Sequence, residues 1–208
     1  MRSKQYRINE IFYSLQGEGY WTGTPMVFVR FSACNLQCPF CDTEHRPYRE
    51  MTAEEIVQEV LRLDGDAHCA RVCLTGGEPL LQVDEELLQV LHPAGYCIHV
   101  ETNGTRLAPE GIDWVTLSPK EDVPGLKGDG KVALEKADEV KLVFDGTMDG
   151  DRLDFWAGFP AAWHFLQPCD TGDLVRNRAV LAGTIDYVKA HGAKWRLSLQ
   201  THKLLGIR

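Results

Sequence analysis

MVFVRFSACNLQCPFCDTEH, residues 26–45, joins an apolar strand-like run to three cysteines crowded into eight positions. The run from Met26 to Ser32 is short and nearly continuous in Val, Phe and Met, as strands buried on both faces tend to be. Cys34, Cys38 and Cys41 follow at once with the spacing C-x3-C-x2-C. In a chain with seven cysteines among 208 residues, chance would produce this one spacing roughly 0.008 times. An odd total and a tight triplet suit metal binding in a reducing compartment better than a disulfide framework.

Outward from this segment, short apolar runs alternate with helix-period segments, the pattern of an α/β domain with a mostly parallel sheet. The other candidate strands are Arg7 to Leu15, Arg71 to Thr75, Tyr96 to Glu101, Trp114 to Ser118, Val140 to Phe144, His164 to Gln167 and Arg196 to Gln200. Thr52 to Glu55 is a capping box opening a helix with Ile56, Val60 and Leu63 on one face, ending near Gly65. Asp84 to Leu91 and Leu174 to His191 read as two further helices. Pro119 to Gly130, rich in Gly, Pro and charge, reads as a surface connector. A closed eightfold barrel usually needs about 250 residues, so about three crossover helices in 208 residues predict an incomplete, splayed (β/α) barrel. Residues 1–208 read as a single domain.

With 22 basic and 30 acidic residues the net charge is −8, which predicts no whole-surface attraction to nucleic acid or anionic lipid. No stretch approaches the roughly 20 apolar residues of a membrane span. The opening residues MRSKQYRINE lack an apolar core and a cleavage site, so the expected location is cytoplasmic.

The triplet narrows the chemistry. A closed zinc site takes four protein ligands, and the fourth would have to be His45 or a distant cysteine. A 4Fe-4S cubane held by three thiolates leaves one iron open to a small chelating ligand. In a (β/α) architecture the working face lies at the carboxyl ends of the strands, and polar or glycine-rich groups follow several of them. These are Thr75-Gly76-Gly77-Glu78-Pro79, Glu101-Thr102-Asn103-Gly104, Ser118-Pro119-Lys120 and Gln167-Pro168-Cys169-Asp170. The two glycines would let a ligand lie against the backbone, and Glu78 could accept from an ammonium group. Glu101, Asn103, Ser118, Pro119 and Lys120 could meet a ribose, carboxylate or adenine. Arg30, a charge inside an apolar strand, faces either solvent or a partner carboxylate. Cys69, Cys73 and Cys97 read as buried hydrophobes. The histidines other than His202 show no ligand spacing to one another.

The triplet, with Phe40 just before its last cysteine, together with GGEP, is similar to the radical S-adenosylmethionine (SAM) superfamily. That resemblance implies a 4Fe-4S cluster on Cys34, Cys38 and Cys41 whose open iron is chelated by SAM, and a 5'-deoxyadenosyl radical that abstracts a substrate hydrogen. EIFYSLQGEG, CNLQCPFCDT, TGGEP, ETNG, SPK and SLQTHK together resemble the 7-carboxy-7-deazaguanine synthase family, from Asn9 to Arg208. The resemblance implies ring contraction of 6-carboxy-5,6,7,8-tetrahydropterin with loss of ammonia, a carbon–nitrogen lyase reaction. It implies that Leu15, Gln16, Gly17 and Glu18 hold the pterin edge and that Arg30 meets its carboxylate. Thr75, His202 and the chain end at Arg208 would complete that site. It implies Mg²⁺ at Thr43, an oxygen ligand of the kind this ion prefers. Phe40, Cys41, Asp42, Gly77, Ser118, Lys120 and Gln167, Pro168, Cys169 and Asp170 match positions around SAM. An electron donor such as flavodoxin or ferredoxin and a homodimer are further expectations. Two other readings stay open at this point, a glycyl-radical activase and a zinc-stabilised binding module without catalysis.

Overall fold

In the computed structural model, which describes residues 3–44, 46–121 and 123–208, the quoted segment splits where its composition changes. Pro25–Phe31 forms β2. Its Val27, Val29 and Phe31 face one apolar layer, and Met26 and Phe28 face another with Phe12 and Cys73. Burial on both faces is why the run is apolar without alternation.

Among the described residues nine strands form one sheet in the order β3-β1-β2-β4-β5-β6-β7-β8-β9. They are β1 (Tyr6–Leu15), β2, β3 (Arg49–Met51), β4 (Arg71–Gly76), β5 (Cys97–Thr102), β6 (Trp114–Leu117), β7 (Ala137–Phe144), β8 (Ala161–Pro168) and β9 (Arg196–Leu197). β1 is antiparallel to both β2 and β3, and every other pairing is parallel. β3 and β9 are unpaired edges at opposite ends of that order, so the sheet is a splayed, open barrel as expected.

The helices are α1 (Ala53–Asp64), α2 (Glu85–Leu91), α3 (Gly150–Ala157), α4 (Leu174–Ala190) and α5 (Thr201–Leu205). In the α1 capping box Glu55 N donates to Thr52 Oγ1 at 3.2 Å and Thr52 N to Glu55 Oε2 at 2.8 Å. These bonds occupy two donors that a helix start leaves without partners. Asp84 caps α2 from outside it, accepting from Leu87 N. Ile56, Val60, Leu87 and Leu91 pack with Val72, Leu74 and Ile98 on one outer layer. Leu153 and Trp156 of α3 pack with Val140, Leu142 and Leu166 on the other.

Three elements depart from expectation. β3 is only three residues long, and α3, capped by Asp149 on Arg152 N, carries too many charges for a strong apolar period. The strand expected over Arg196 to Gln200 stops at Leu197. Ser198 N still donates to Leu166 O, but Thr201 N turns to Gly17 O, and α5 begins. The expected connector from Pro119 to Gly130, of which Asp122 lies outside the described residues, is pinned to the cysteine loop. Gln37 and Lys127 exchange backbone hydrogen bonds at 2.9 and 3.3 Å.

The amino ends of the parallel strands are filled by rings. Tyr20 lies 5.2 Å from Trp114 and 5.0 Å from Trp163 between ring centres. Trp21 meets His99 edge-on at 5.2 Å and stacks under the Arg71 guanidinium at 4.6 Å. The sheet's interior is therefore left open toward the carboxyl ends.

Candidate active site

At the carboxyl ends the loops converge on a cavity of about 1080 Å³. Cys34, Cys38 and Cys41 all line it and are free thiols. Burial raises the Cys34 and Cys38 thiols above the ordinary cysteine value, opposed in part by the nearby Lys120 ammonium. Lys120 donates to Ser118 O at 2.7 Å and Ser118 Oγ at 2.6 Å, and burial lowers its own pKa. Among the described residues no three His, Cys, Asp or Glu side chains stand close enough to grip a single ion. A cubane instead spreads its thiolates over several irons, and three unbridged thiols on one cavity wall fit that group. His45 lies outside the described residues.

The GGEP segment does something other than leave room for a ligand alone. A β-carbon on Gly76 would lie 2.2 Å from Phe31 O, and one on Gly77 2.1 Å from Ala33 O. Gly77 N donates to Phe31 O at 3.1 Å and Glu78 N to Ala33 O at 2.9 Å. The glycines let β4 grip the entry to the cysteine loop, and both also line the cavity. Glu78 requires a correction. It is fully buried and absent from the cavity wall, and its oxygens accept from Leu80 N, Thr102 Oγ1 and Asn103 N at 2.7–2.9 Å. Its carboxylate therefore braces the ends of β4 and β5 instead of facing an ammonium group. Pro119 is buried off the wall as well.

The remaining expected residues do meet on this one wall: Leu15, Gln16, Gly17, Glu18, Arg30, Phe40, Asp42, Thr43, Thr75, Glu101, Asn103, Ser118, Lys120, Gln167, Pro168, Cys169, Asp170, His202 and Arg208. Residues 15–18 arrive from an unexpected side. Leu15 pairs with Pro25 at the amino end of β2, so the antiparallel β1 delivers this loop across the interior as a floor. Gln16 Nε2 donates to Glu101 Oε1 on β5 at 2.9 Å, and Gly19 N to Ser198 Oγ beyond β9 at 3.0 Å. Arg30 faces the cavity with its Nε on Glu10 Oε1 at 2.9 Å. Arg208 reaches the other oxygen of Glu10 at 3.2 Å. Asp42 is held by Lys203, at 2.5 Å, which also reaches Asp170 at 2.9 Å. Cys73 and Cys169 are buried, whereas Cys69 and Cys97 are only half-buried.

A family model described as the Radical SAM superfamily matches residues 28–122. Two proteins named 7-carboxy-7-deazaguanine synthase align over nearly their whole length. The one from Bacteroides thetaiotaomicron is 50% identical, over 97% of this chain and 98% of the relative. The one from Burkholderia multivorans is 38% identical, over 97% and 99%. The chain belongs to the 7-carboxy-7-deazaguanine synthase family.

The solved structure of QueE from Escherichia coli superposes with a TM-score of 0.76 at 28% identity, covering 94% of this chain and 93% of that one. SuiB of Streptococcus suis, solved with its precursor peptide SuiA, shares the fold at a TM-score of 0.54 and 17% identity, over 79% of this chain and 46% of that one. Neither the activase nor the zinc module is favoured by these relatives. The chain is a radical SAM enzyme of the 7-carboxy-7-deazaguanine synthase family.

Sequence reasoning overlooked several charged groups of this family member's cavity, Glu10, Glu44, Arg46 and Lys203 among them, and the most deeply buried is a lysine. Lys141, on β7, lines the wall with its side chain 3% exposed. A lysine inside the apolar run Val140 to Phe144 was the available signal, the same one that singled out Arg30.

Proposed function

We propose that this cavity converts 6-carboxy-5,6,7,8-tetrahydropterin to 7-carboxy-7-deazaguanine with loss of ammonia, the carbon–nitrogen lyase reaction of the family. The observation that carries the reading is that the cysteine wall and the floor of Gln16 to Glu18 face one cavity. Its volume of about 1080 Å³ is at the upper end of single-ligand pockets, which run to about 1,000 Å³, as suits two small molecules side by side. When bound, the cluster on Cys34, Cys38 and Cys41 and its SAM supply one electron and a 5'-deoxyadenosyl radical that takes a substrate hydrogen.

The chain's own groups bind and orient. Phe40, Cys41, Asp42, Gly77, Asn103, Ser118, Lys120 and Gln167 to Asp170 surround SAM, whereas Glu101, tied to Gln16 and Lys141, faces the pterin instead of the SAM ribose or adenine expected for it. Leu15, Gln16, Gly17, Glu18, Thr75, His202 and Arg208 hold the pterin, and Arg30 meets its carboxylate as a bidentate donor. Thr43 would offer Mg²⁺ a hydroxyl oxygen, and the ion would supply positive charge to orient the substrate carboxylate. Residues 1–208 act as one radical SAM domain, as a homodimer in the cytoplasm, reduced by a flavodoxin or ferredoxin. No described helix is long and apolar enough to cross a membrane.

The test is an anaerobic assay of the reconstituted protein with carboxypterin, SAM and reductant, with and without Mg²⁺. A deazaguanine carboxylate product is expected, with its rate rising on adding Mg²⁺. No turnover by a fully loaded cluster would remove the reading.

A further inference from the structure

Lys141 stands between two carboxylates that come from different parts of the chain. Its Nζ lies 2.5 Å from Glu18 Oε2 and 2.6 Å from Glu101 Oε2. Glu18 belongs to the floor loop after β1, and Glu101 ends β5. The second oxygen of each is also held, Glu18 Oε1 by Gln200 Nε2 at 3.0 Å and Glu101 Oε1 by Gln16 Nε2 at 2.9 Å. Both carboxylates are therefore fixed at each end while still lining the cavity.

A buried ion pair is weak evidence of a stabilising role, because desolvation offsets most of the Coulomb attraction. Here the charges do not cancel either, since one ammonium faces two carboxylates and leaves a net negative floor. Burial disfavours the Lys141 charge, but Glu101, Glu18 and Glu139 outweigh it and raise its pKa. Burial likewise acts against the Glu18 charge, but Lys141 and Gln200 more than offset it, so that Glu18 titrates below the ordinary carboxylate range. A floor of fixed acceptors matches a ligand edge made of adjacent N–H donors, such as the aminopyrimidinone side of a pterin.

We propose that Lys141 is a positioning residue, which by bridging Glu18 and Glu101 holds their carboxylates where they accept the N–H groups of the substrate's aminopyrimidinone edge. The inference rests on the proposed reaction and adds to it a residue that does not itself touch the substrate. Lys141→Met removes the bridging charge at similar length, and Lys141→Arg keeps it. Without the ammonium the two carboxylates repel each other and leave their places, for which a loss of about 30-fold or more in pterin affinity is expected, about 2 kcal/mol.

The experiment uses reconstituted full-length protein and measures four quantities: iron content, SAM cleavage without pterin, KM and kcat for carboxypterin, and pterin binding by titration. Lys141→Met is expected to keep its iron and its pterin-independent SAM cleavage. Its pterin KM should rise about 30-fold or more with a smaller change in kcat, and Lys141→Arg should recover most of the loss. A wild-type protein that turns over pterin beside a Lys141→Met variant with KM within about twofold would overturn the role of Lys141 alone. A loaded wild-type protein that neither binds nor turns over pterin would overturn the reaction and this role together. If Lys141→Met does not fold, Lys141→Gln is measured in its place, and an unchanged KM there overturns the role equally.

Discussion

His202 occupies the space that a side chain on Gly17 would need: a β-carbon there would lie 2.1 Å from His202 Nδ1 and within 2.9 Å of two further atoms of that residue. The contact joins the floor loop to the last helix, and Thr201 reinforces it by donating through both its N and its Oγ1 to Gly17 O at 2.9 Å. Gly17→Ala must push His202 and α5 away, an overpacking cost of about 1–3 kcal/mol. Pterin affinity should fall about tenfold or more, while iron content and SAM cleavage without pterin stay as in the wild type. Equal pterin titrations of the two proteins would show that His202 does not need this seat.

Cys38→Ala removes one of three thiols from the cavity wall. With two thiolates the cubane is poorly held, so the reconstituted variant should be nearly free of iron and inactive. Iron and sulfide analysis after anaerobic reconstitution checks this, and an iron-replete, active variant would contradict the ligand assignment.

Thr43→Ala removes a hydroxyl from a half-buried residue in the exposed stretch just after Cys41. The cluster should form normally, but the Mg²⁺ concentration for half-maximal rate should rise about tenfold or more. A magnesium titration that superposes on the wild-type curve would exclude the hydroxyl as a ligand.

Glu139 lies below the floor, accepting from Tyr20 N at 2.8 Å and Thr116 Oγ1 at 3.0 Å. Burial, offset only in part by the Lys141 charge, pushes its pKa up to about 7. A folded-state value above the unfolded one means the folded protein binds more protons between the two. Stability from this group is therefore full below the ordinary glutamate range and is lost as pH rises through about 7. Glu139→Gln should flatten that slope and stabilise the protein near pH 8 by about 1–3 kcal/mol relative to the wild type. Urea unfolding between pH 5 and 8 measures it, and parallel curves for the two proteins would refute the titration of Glu139.

The features legible in the sequence were those with strong local signals. The apolar run from Met26 to Ser32 and the Thr52 cap form where their spacing indicates, and the polar groups closing β4, β5, β6 and β8 lie on the cavity wall or next to it. β3 and α3 carry weak periodicity and form because neighbouring elements offer them a face. Glu78 could not be told from a ligand group by its motif, because its three donors come from Leu80 and from Thr102 and Asn103 at the end of a different strand. Lys141 could not be paired in advance, since Glu18 is 123 residues away and Glu101 is 40. The direction of residues 15–18 depends on β1 running antiparallel to β2, which a strand pattern alone does not reveal.

The plug of Tyr20, Trp21, Trp114 and Trp163 has a corollary. Among the described residues the strands' amino ends are stoppered, which leaves the carboxyl side as the way in for reagents and out for products. The exposed rim carries Cys41 and Asp42, and the floor carries the buried Lys141. Whatever rests on the floor is the more deeply enclosed of two occupants, and one seated nearer the rim lies between it and solvent.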